Sequence, residues 1–333
     1  MSQVTDSDPR TNGPLPVFTP LQRFLGSRAV TGLGMFVSRY APPFIGHLVA
    51  GLIAGLINWR KPAVYWIVRA NLRQVVANPS PLSGGSQRGV GPQVDERALH
   101  RLVRQVFRNA ARNNYELWHL VSQGQAAIRA AVHIPPAAYV HIEQAQQRGK
   151  GLIIAGTHTG NFDLGILALV VYGLEMQVLG LAHRPTGGFN LMDQMRTRAG
   201  VYLTSISVPA LREAVRRLRH GGAVLTGVDR PVGGEETTVE FFGRPALLPT
   251  GHVRLALKTD AAILVGAPYR DADGRTVMRV SPPLEMVRTG DPHEDLRVNL
   301  RQVAAWMEEF IRACPEQWGL FVPVWSQGQL GHG

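Results

Sequence analysis

From residue 139 onward, short apolar runs alternate with stretches whose apolar positions recur every three to four residues. The pattern predicts helix 139–148, strand 151–155, helix 161–174, strand 177–183, helix 189–199, strand 201–206, helix 208–220 and strand 222–228. A strand at 236–242, a helix at 253–259 and a buried strand at 262–268 follow, then a hairpin-like turn at 271–274 into 277–281. A long last helix, 293–313, ends before Pro315. Short strands alternating with helices of this length predict an α/β layer fold with a mostly parallel, mixed central sheet flanked by helices.

The N-terminal part reads differently. Residues 1–20 are polar and proline-containing, a mobile lead. Residues 40–59, YAPPFIGHLVAGLIAGLINW, carry no formal charge, with Arg23, Arg28 and Arg39 before them and Arg60, Lys61 and Arg69 after. A bilayer crossing takes about 20 apolar residues, and Pro42, Pro43 and His47 shorten the useful helix. Basic residues on both sides give no positive-inside asymmetry. The expectation is an apolar helix lying in one leaflet, with Trp59, Tyr65 and Trp66 at head-group depth. A buried helix of the globular domain and a single span are the alternatives. Residues 77–93 are a Pro/Gly/Ser-rich flexible loop, and Arg88 stands where a Gly-x-Ser-x-Gly nucleophile elbow needs its second glycine. Helical periodicity over 95–130 gathers Leu99, Leu102, Val103, Val106 and Phe107 on one face, with Arg101, Arg104 and Arg108 off it. The organisation is thus a lead (1–20), an apolar and basic membrane-associated helical region (21–76), the loop (77–93) and an α/β domain (94–325).

Charge narrows the partners. The formal net charge is +11, and lysine occurs only at 61, 150 and 258, so the excess is arginine. Such a balance suits anionic lipid head groups, nucleic acid or phosphorylated cofactors. There is no aromatic-basic interleaving of the RNA-binding kind, so no nucleic-acid partner is expected. Cys314 is the single cysteine, which rules out an internal disulfide and a cysteine-based zinc site. The first residues do not read as a secretory signal peptide.

The candidate chemistry lies in residues 151–165, GLIIAGTHTGNFDLG. His158 falls where strand becomes helix, and Thr157, Thr159, Gly160 and Asn161 are small and capping residues suited to that turn. Residues five apart on an unbroken helix point about 140° away from each other. His158 and Asp163 therefore meet only if the histidine stands in the turn. A carboxylate on one ring nitrogen fixes the tautomer, so the other can accept a proton. That makes His158 a candidate general base oriented by Asp163. The bland alternative is a histidine at a helix start with an unrelated acid nearby.

His-x4-Asp after a buried strand resembles the signature of the glycerolipid and lipid A acyltransferases. The chain is most similar to the branch of lauroyl/myristoyl lipid A and phosphatidylinositol-mannoside acyltransferases. The resemblance rests on HRPTGGFNLMDQMRTRAG (183–200), GGAVLTGVDRP (221–231), VEFFGRPALLPTGHVRLALKTDAAILVGAPYR (239–270) and PEQW (315–318), in that order, and covers roughly residues 60–320.

The resemblance implies a membrane-peripheral O-acyltransferase on the cytoplasmic face of the cell membrane. Its acyl donor is acyl-CoA or acyl carrier protein, its acceptor a glycolipid or phospholipid, and no metal or further cofactor is implied. Thioester donors bring their own leaving group, so a base acting on the acceptor hydroxyl suffices without a covalent enzyme intermediate. Arg184 and Arg196 correspond to basic residues that contact phosphate. Asp229 and Arg230 end a strand in the position of the branch's Asp-Arg or Asp-Gln pair, expected to organise the rim through an ion pair rather than do chemistry. Glu240 precedes a segment that shapes the acceptor pocket, with Phe241 and Phe242 as walls of an acyl channel or as core. Backbone N–H groups of Thr159, Gly160 and Asn161 are candidate oxyanion donors. His158, Arg184 and Asp229 all fall at strand ends, so one rim would gather them. Many lipid A members carry Glu where Asp163 stands, and the chain lacks the Glu-Gly-Thr-Arg and Phe-x-x-Arg motifs of the glycerophosphate members. The alternatives to transfer are hydrolysis of the same thioesters and a non-catalytic lipid-binding protein.

Overall fold

The computed structural model describes residues 27–78, 94–180, 187–232 and 234–325. The expected lead and nearly all of the expected 77–93 loop lie outside them, as does Arg184.

Among the described residues three helices come first: α1 (Arg28–Tyr40), α2 (Pro43–Arg60) and α3 (Ala63–Ala77). Ser27 caps α1 by accepting the Val30 N–H, Pro43 opens α2, and Lys61, left-handed at φ 44°, closes it ahead of Pro62. Next are the 28-residue α4 (Glu96–Gln123), which Asp95 caps and Gly124 ends at φ 94°, and the short α5 (Gln125–Ala131). The α/β layer runs β1 (Val132–His133), α6 (Pro136–Gln147), β2 (Leu152–Gly156), α7 (Phe162–Val171), β3 (Met176–Gly180), α8 (Gly187–Arg198), β4 (Tyr202–Ser205), α9 (Val208–Arg219) and β5 (Ala223–Gly227). It continues with β6 (Glu236–Phe241), β7 (Arg244–Pro249), α10 (Gly251–Thr259), β8 (Ala262–Arg270), β9 (Thr276–Val280), α11 (Pro292–Ala313) and a 3-10 turn at Pro315–Gln317.

Among the described residues seven strands form one sheet in the order β1-β9-β8-β2-β5-β3-β4, parallel throughout except for the antiparallel β8–β9 pair. The mixed, mostly parallel sheet expected from the alternation is therefore present. Its central strands send alternate residues to two cores: Leu152, Ile154, Leu225 and Leu264 to one, Ile153, Ala155, Val224, Ile263 and Val265 to the other. Both faces are covered, which is why these strands read as unbroken apolar runs. β6 and β7 make a separate antiparallel hairpin, of which only the first strand was expected.

The stripe of α2 that faces the protein is small: Gly46, Ala50, Ala54 and Asn58 are buried. Gly46 lies against the Tyr115 ring of α4 so closely that a Cβ would sit 2.4 Å from it. The large side chains Phe44, Leu48, Leu52, Leu56 and Trp59 point outward, as do Leu33, Phe36 and Tyr40 of α1. Among the described residues no helix is long and apolar enough to cross a membrane.

Candidate active site

β2 and β5 lie side by side in register, Gly156 opposite Gly227. Each chain leaves its strand at the same level, so the residues two positions on, His158 and Asp229, come face to face. His158 Nδ1 lies 2.5 Å from Asp229 Oδ1, and the His158 backbone N–H donates to Oδ2 at 2.8 Å. The Trp318 indole N–H donates to the same Oδ2 at 2.9 Å. The ring rests over Gly227, where a Cβ would come within 3.1 Å of His158 Cε1, and the Phe162 ring meets it edge-on at 4.9 Å.

The Asp229 side chain is 0% exposed and that of His158 21%. Burial alone would raise the Asp229 carboxyl, but the His158 ring beside it, the hydrogen bonds from His158 and the Trp318 N–H hold it below its ordinary value. The carboxylate stays charged. It fixes Nδ1–H toward itself and leaves Nε2 to accept a proton.

Asp163, the expected orienting acid, has another partner. It is the buried first-turn acid of α7, and Arg196 of α8 grips it with both arms, Nε to Oδ1 at 2.8 Å and NH2 to Oδ2 at 2.9 Å. The third arm, NH1, holds Asp193 Oδ1 at 2.6 Å. Burial opposes the Arg196 charge, yet the two carboxylates more than compensate and the guanidinium pKa is raised. The histidine does stand in the turn, but its Nδ1 is turned to Asp229 across the β2–β5 register and the guanidinium fork occupies both Asp163 oxygens. For the same reason Arg196 serves as a clasp between α7 and α8, and its Nε, NH1 and NH2 all bind carboxylates rather than facing a phosphate.

The turn itself is tightly specified. Asn161 Oδ1 caps α7 by accepting the Leu164 N–H at 3.3 Å, and Thr157 and Thr159 share a hydrogen between their hydroxyls at 2.8 Å. The segment PEQW runs alongside: Gly160 N–H donates to Gln317 O and Gly319 N–H to His158 O, both at 2.9 Å. The Gly160 N–H is thus committed, which removes it from the expected oxyanion donors. Gly160 has φ 51°, and a Cβ there would lie 2.5 Å from Pro268 O. Gln317 also pairs with the Arg270 backbone, accepting its N–H at 2.6 Å and donating to its carbonyl at 2.9 Å.

Arg230 is half-buried beside Asp229. Glu240 is exposed on β6 and faces Arg301 of α11, with Oε1 3.9 Å from its NH2. Phe241 and Phe242 are wholly buried and pack edge-on and stacked against Trp318 and Trp325. They are core behind Trp318, which corrects the channel-wall alternative. Trp318 and Gln317, residues of the PEQW motif to which no role was attached, prove to hold the carboxylate and the turn. Among the described residues no group of three or more His, Cys, Asp or Glu is gathered as metal ligands.

A family model for bacterial lipid A biosynthesis acyltransferases matches residues 90–327. A phosphatidylinositol mannoside acyltransferase of Mycobacterium tuberculosis strain H37Rv is 24% identical over 188 residues, 56% of this chain and 58% of that protein. Its counterpart in Mycolicibacterium smegmatis is 25% identical over 189 residues, 56% and 60% of the two chains. A lipid A biosynthesis acyltransferase of Haemophilus influenzae is 24% identical over 201 residues, 59% and 61%. The chain thus matches about three-fifths of the length of these curated relatives. With the matched region spanning the whole sheet, both members of the dyad and the PEQW strap, the chain belongs to the bacterial lipid A biosynthesis acyltransferase family.

Proposed function

We propose that the protein is a membrane-peripheral O-acyltransferase that moves a fatty acyl chain from acyl-CoA or acyl carrier protein to a hydroxyl of a glycolipid or phospholipid. The observation that carries this reading is the His158–Asp229 pair at 2.5 Å on the rim where parallel strands end. His158 Nε2 takes the proton of the acceptor hydroxyl as its oxygen attacks the thioester carbonyl. The tetrahedral intermediate collapses, the C–S bond breaks, and the imidazolium returns the proton to the departing thiolate. Asp229 stabilises the imidazolium throughout. No enzyme nucleophile is required. Lipid A-like and mannoside-like acceptors are both supported by the names of the relatives.

The outward apolar residues of α1 and α2 support a seat on the lipid surface. Arginines lie over aromatic rings beside them: Arg39 over Tyr40 at 5.5 Å, Arg60 over Trp59 at 4.8 Å and Arg69 over Trp66 at 5.7 Å. Aromatic rings at head-group depth with arginine beside anionic lipid are what an interfacial helix presents. Because acyl thioesters are cytosolic metabolites, the reading sets the protein on the cytoplasmic face.

The test is transfer of labelled acyl chains from acyl-CoA and from acyl carrier protein to glycolipid in vesicles. His158→Ala should lower turnover per folded molecule by about 10²–10⁴, the usual contribution of a general base, with vesicle binding kept and the melting temperature reduced because the buried Asp229 loses its ring partner. Turnover at the unaltered rate would sink the assignment.

A further inference from the structure

The turn carrying His158 is held from a second side by a residue that touches neither member of the dyad. Asn113, in the middle of α4, donates from Nδ2 to Gly160 O at 2.6 Å, and its backbone carbonyl accepts from Asn161 Nδ2 at 3.0 Å. Its Oδ1 accepts from Arg270 NH2 at 2.9 Å, so the two ends of the amide have opposite partners and it cannot flip without losing both. Arg270 NH2 also binds Glu116, one turn further along α4. The other Glu116 oxygen accepts Arg112 Nε at 2.7 Å and lies 3.4 Å from His47 Nε2 of α2.

Gly160 is therefore fixed at both its polar groups, the N–H by Gln317 and the C=O by Asn113. It is also the residue with the left-handed backbone, and the one whose missing Cβ lets the turn lie against Pro268. A turn pinned at that point cannot rock toward solvent, and the imidazole two residues upstream keeps its place relative to Asp229. Without the Asn113 amide, Gly160 keeps only its N–H bond to Gln317. We propose that Asn113 is a positioning residue for the His158 base, set in its working orientation by the Arg270–Glu116 pair. The effect on rate rests on the transferase reading; the effect on the turn does not.

The test uses the full chain with Asn113→Ala and with Asn113→Asp, which keeps the shape and the acceptor for Arg270 but loses the donor to Gly160. His158→Ala is the control. Palmitoyl-CoA and glycolipid vesicles give kcat and KM, and mass spectrometry gives backbone hydrogen exchange of residues 157–163. Both Asn113 variants should speed exchange in that segment about tenfold or more without changing it in β8. They should lower kcat about 10- to 100-fold, as misplacement of a reacting group by about 1 Å does, with the KM for palmitoyl-CoA within about twofold. Wild-type kcat in both variants overturns the proposal, as does a slower rate with unaltered exchange, or a fall explained wholly by lost folded protein. If His158→Ala abolishes turnover while the Asn113 variants run normally, the positioning role alone fails. If His158→Ala also turns over normally, the base assignment falls and this role with it.

Discussion

Replacing each of the two aspartates in turn separates the base's partner from the clasp. Asp229 is wholly buried and accepts from His158 N–H and Trp318 N–H on Oδ2, while Oδ1 faces His158 Nδ1. In Asp229→Asn the new NH2 must occupy one of these positions. Placed at Oδ2 it would confront two N–H donors in a buried site, each unsatisfied group costing about 1–3 kcal/mol. Placed at Oδ1 it confronts only the ring, which can switch tautomer so that Nδ1 accepts. The second arrangement is cheaper, and it puts the proton on Nε2, where the base is needed. The expected loss in kcat is about 10³–10⁴, or about 4–5.5 kcal/mol of barrier, with little change in donor KM. Asp163→Asn instead breaks a bidentate pair with the largely buried Arg196 and leaves that guanidinium with Asp193. Breaking a buried pair costs about 3–5 kcal/mol of stability, offset in part by Asp193, so the melting temperature falls by several degrees while kcat per folded molecule stays within about tenfold. Single-turnover acyl transfer alongside thermal unfolding reads both. If Asp229→Asn keeps more than a tenth of wild-type kcat while Asp163→Asn, still folded, abolishes it, the pairing described here is wrong.

Gly160→Ala should lose most activity and about 2–4 kcal/mol of stability, since its Cβ meets the Pro268 carbonyl at 2.5 Å in a left-handed backbone; a wild-type unfolding midpoint would contradict this. Trp318→Phe keeps an aromatic against Phe242 but removes one donor from the buried carboxylate, and kcat should fall about tenfold in steady-state transfer assays. His252 is fully buried, neither ring nitrogen has a hydrogen-bond partner among the described residues, and burial lowers its pKa to about 3. The unfolded chain, with a pKa near 6.5, takes up that proton first, so the group's cost is absent above about pH 6.5 and grows as pH falls toward 3, by at most about 1.4 kcal/mol per unit. Denaturant midpoints at pH 7 and 4.5 should therefore draw together in His252→Leu relative to wild type, and an equal fall in both proteins refutes the reasoning.

The sheet was legible because its strands are buried on both faces, so 152–155, 223–227 and 262–268 stand out as apolar runs in any reading. β7 was not, because Arg244–Pro249 begins and ends around prolines, which argue against a strand unless it lies at an edge, where this one lies. Its turn, Phe242 and Gly243 at φ 49° and 71°, places a bulky residue where a hairpin normally takes Asn or Gly. The strain is offset by burying the ring against Trp318 and by the Phe242 N–H bonding Glu308 Oε1 at 3.0 Å. His158 was legible from its local turn. Its partner was not, because Asp229 reaches it through strand register rather than through neighbouring sequence. A trace existed: Gly-Thr-His at 156–158 and Gly-Val-Asp at 227–229 follow two apolar runs at the same offset. Asn113 left no trace, being one polar residue among several on α4.

The division of labour between the two aspartates is hard to reverse. For Asp163 to reach His158 it would have to give up two charge-assisted bonds to Arg196, each worth about 1.5–3 kcal/mol. Asp229 would meanwhile be left as a buried anion with Trp318 and one backbone N–H for company, a further cost of several kcal/mol unless it took up a proton. Both penalties fall on the same side. The same logic limits what Arg196 does for a ligand: a phosphate taking its Nε–NH2 fork would have to displace Asp163, and in doing so would loosen α8 from α7. Arg196→Lys, which cannot hold Asp163 as a fork, is expected to act on stability before it acts on KM.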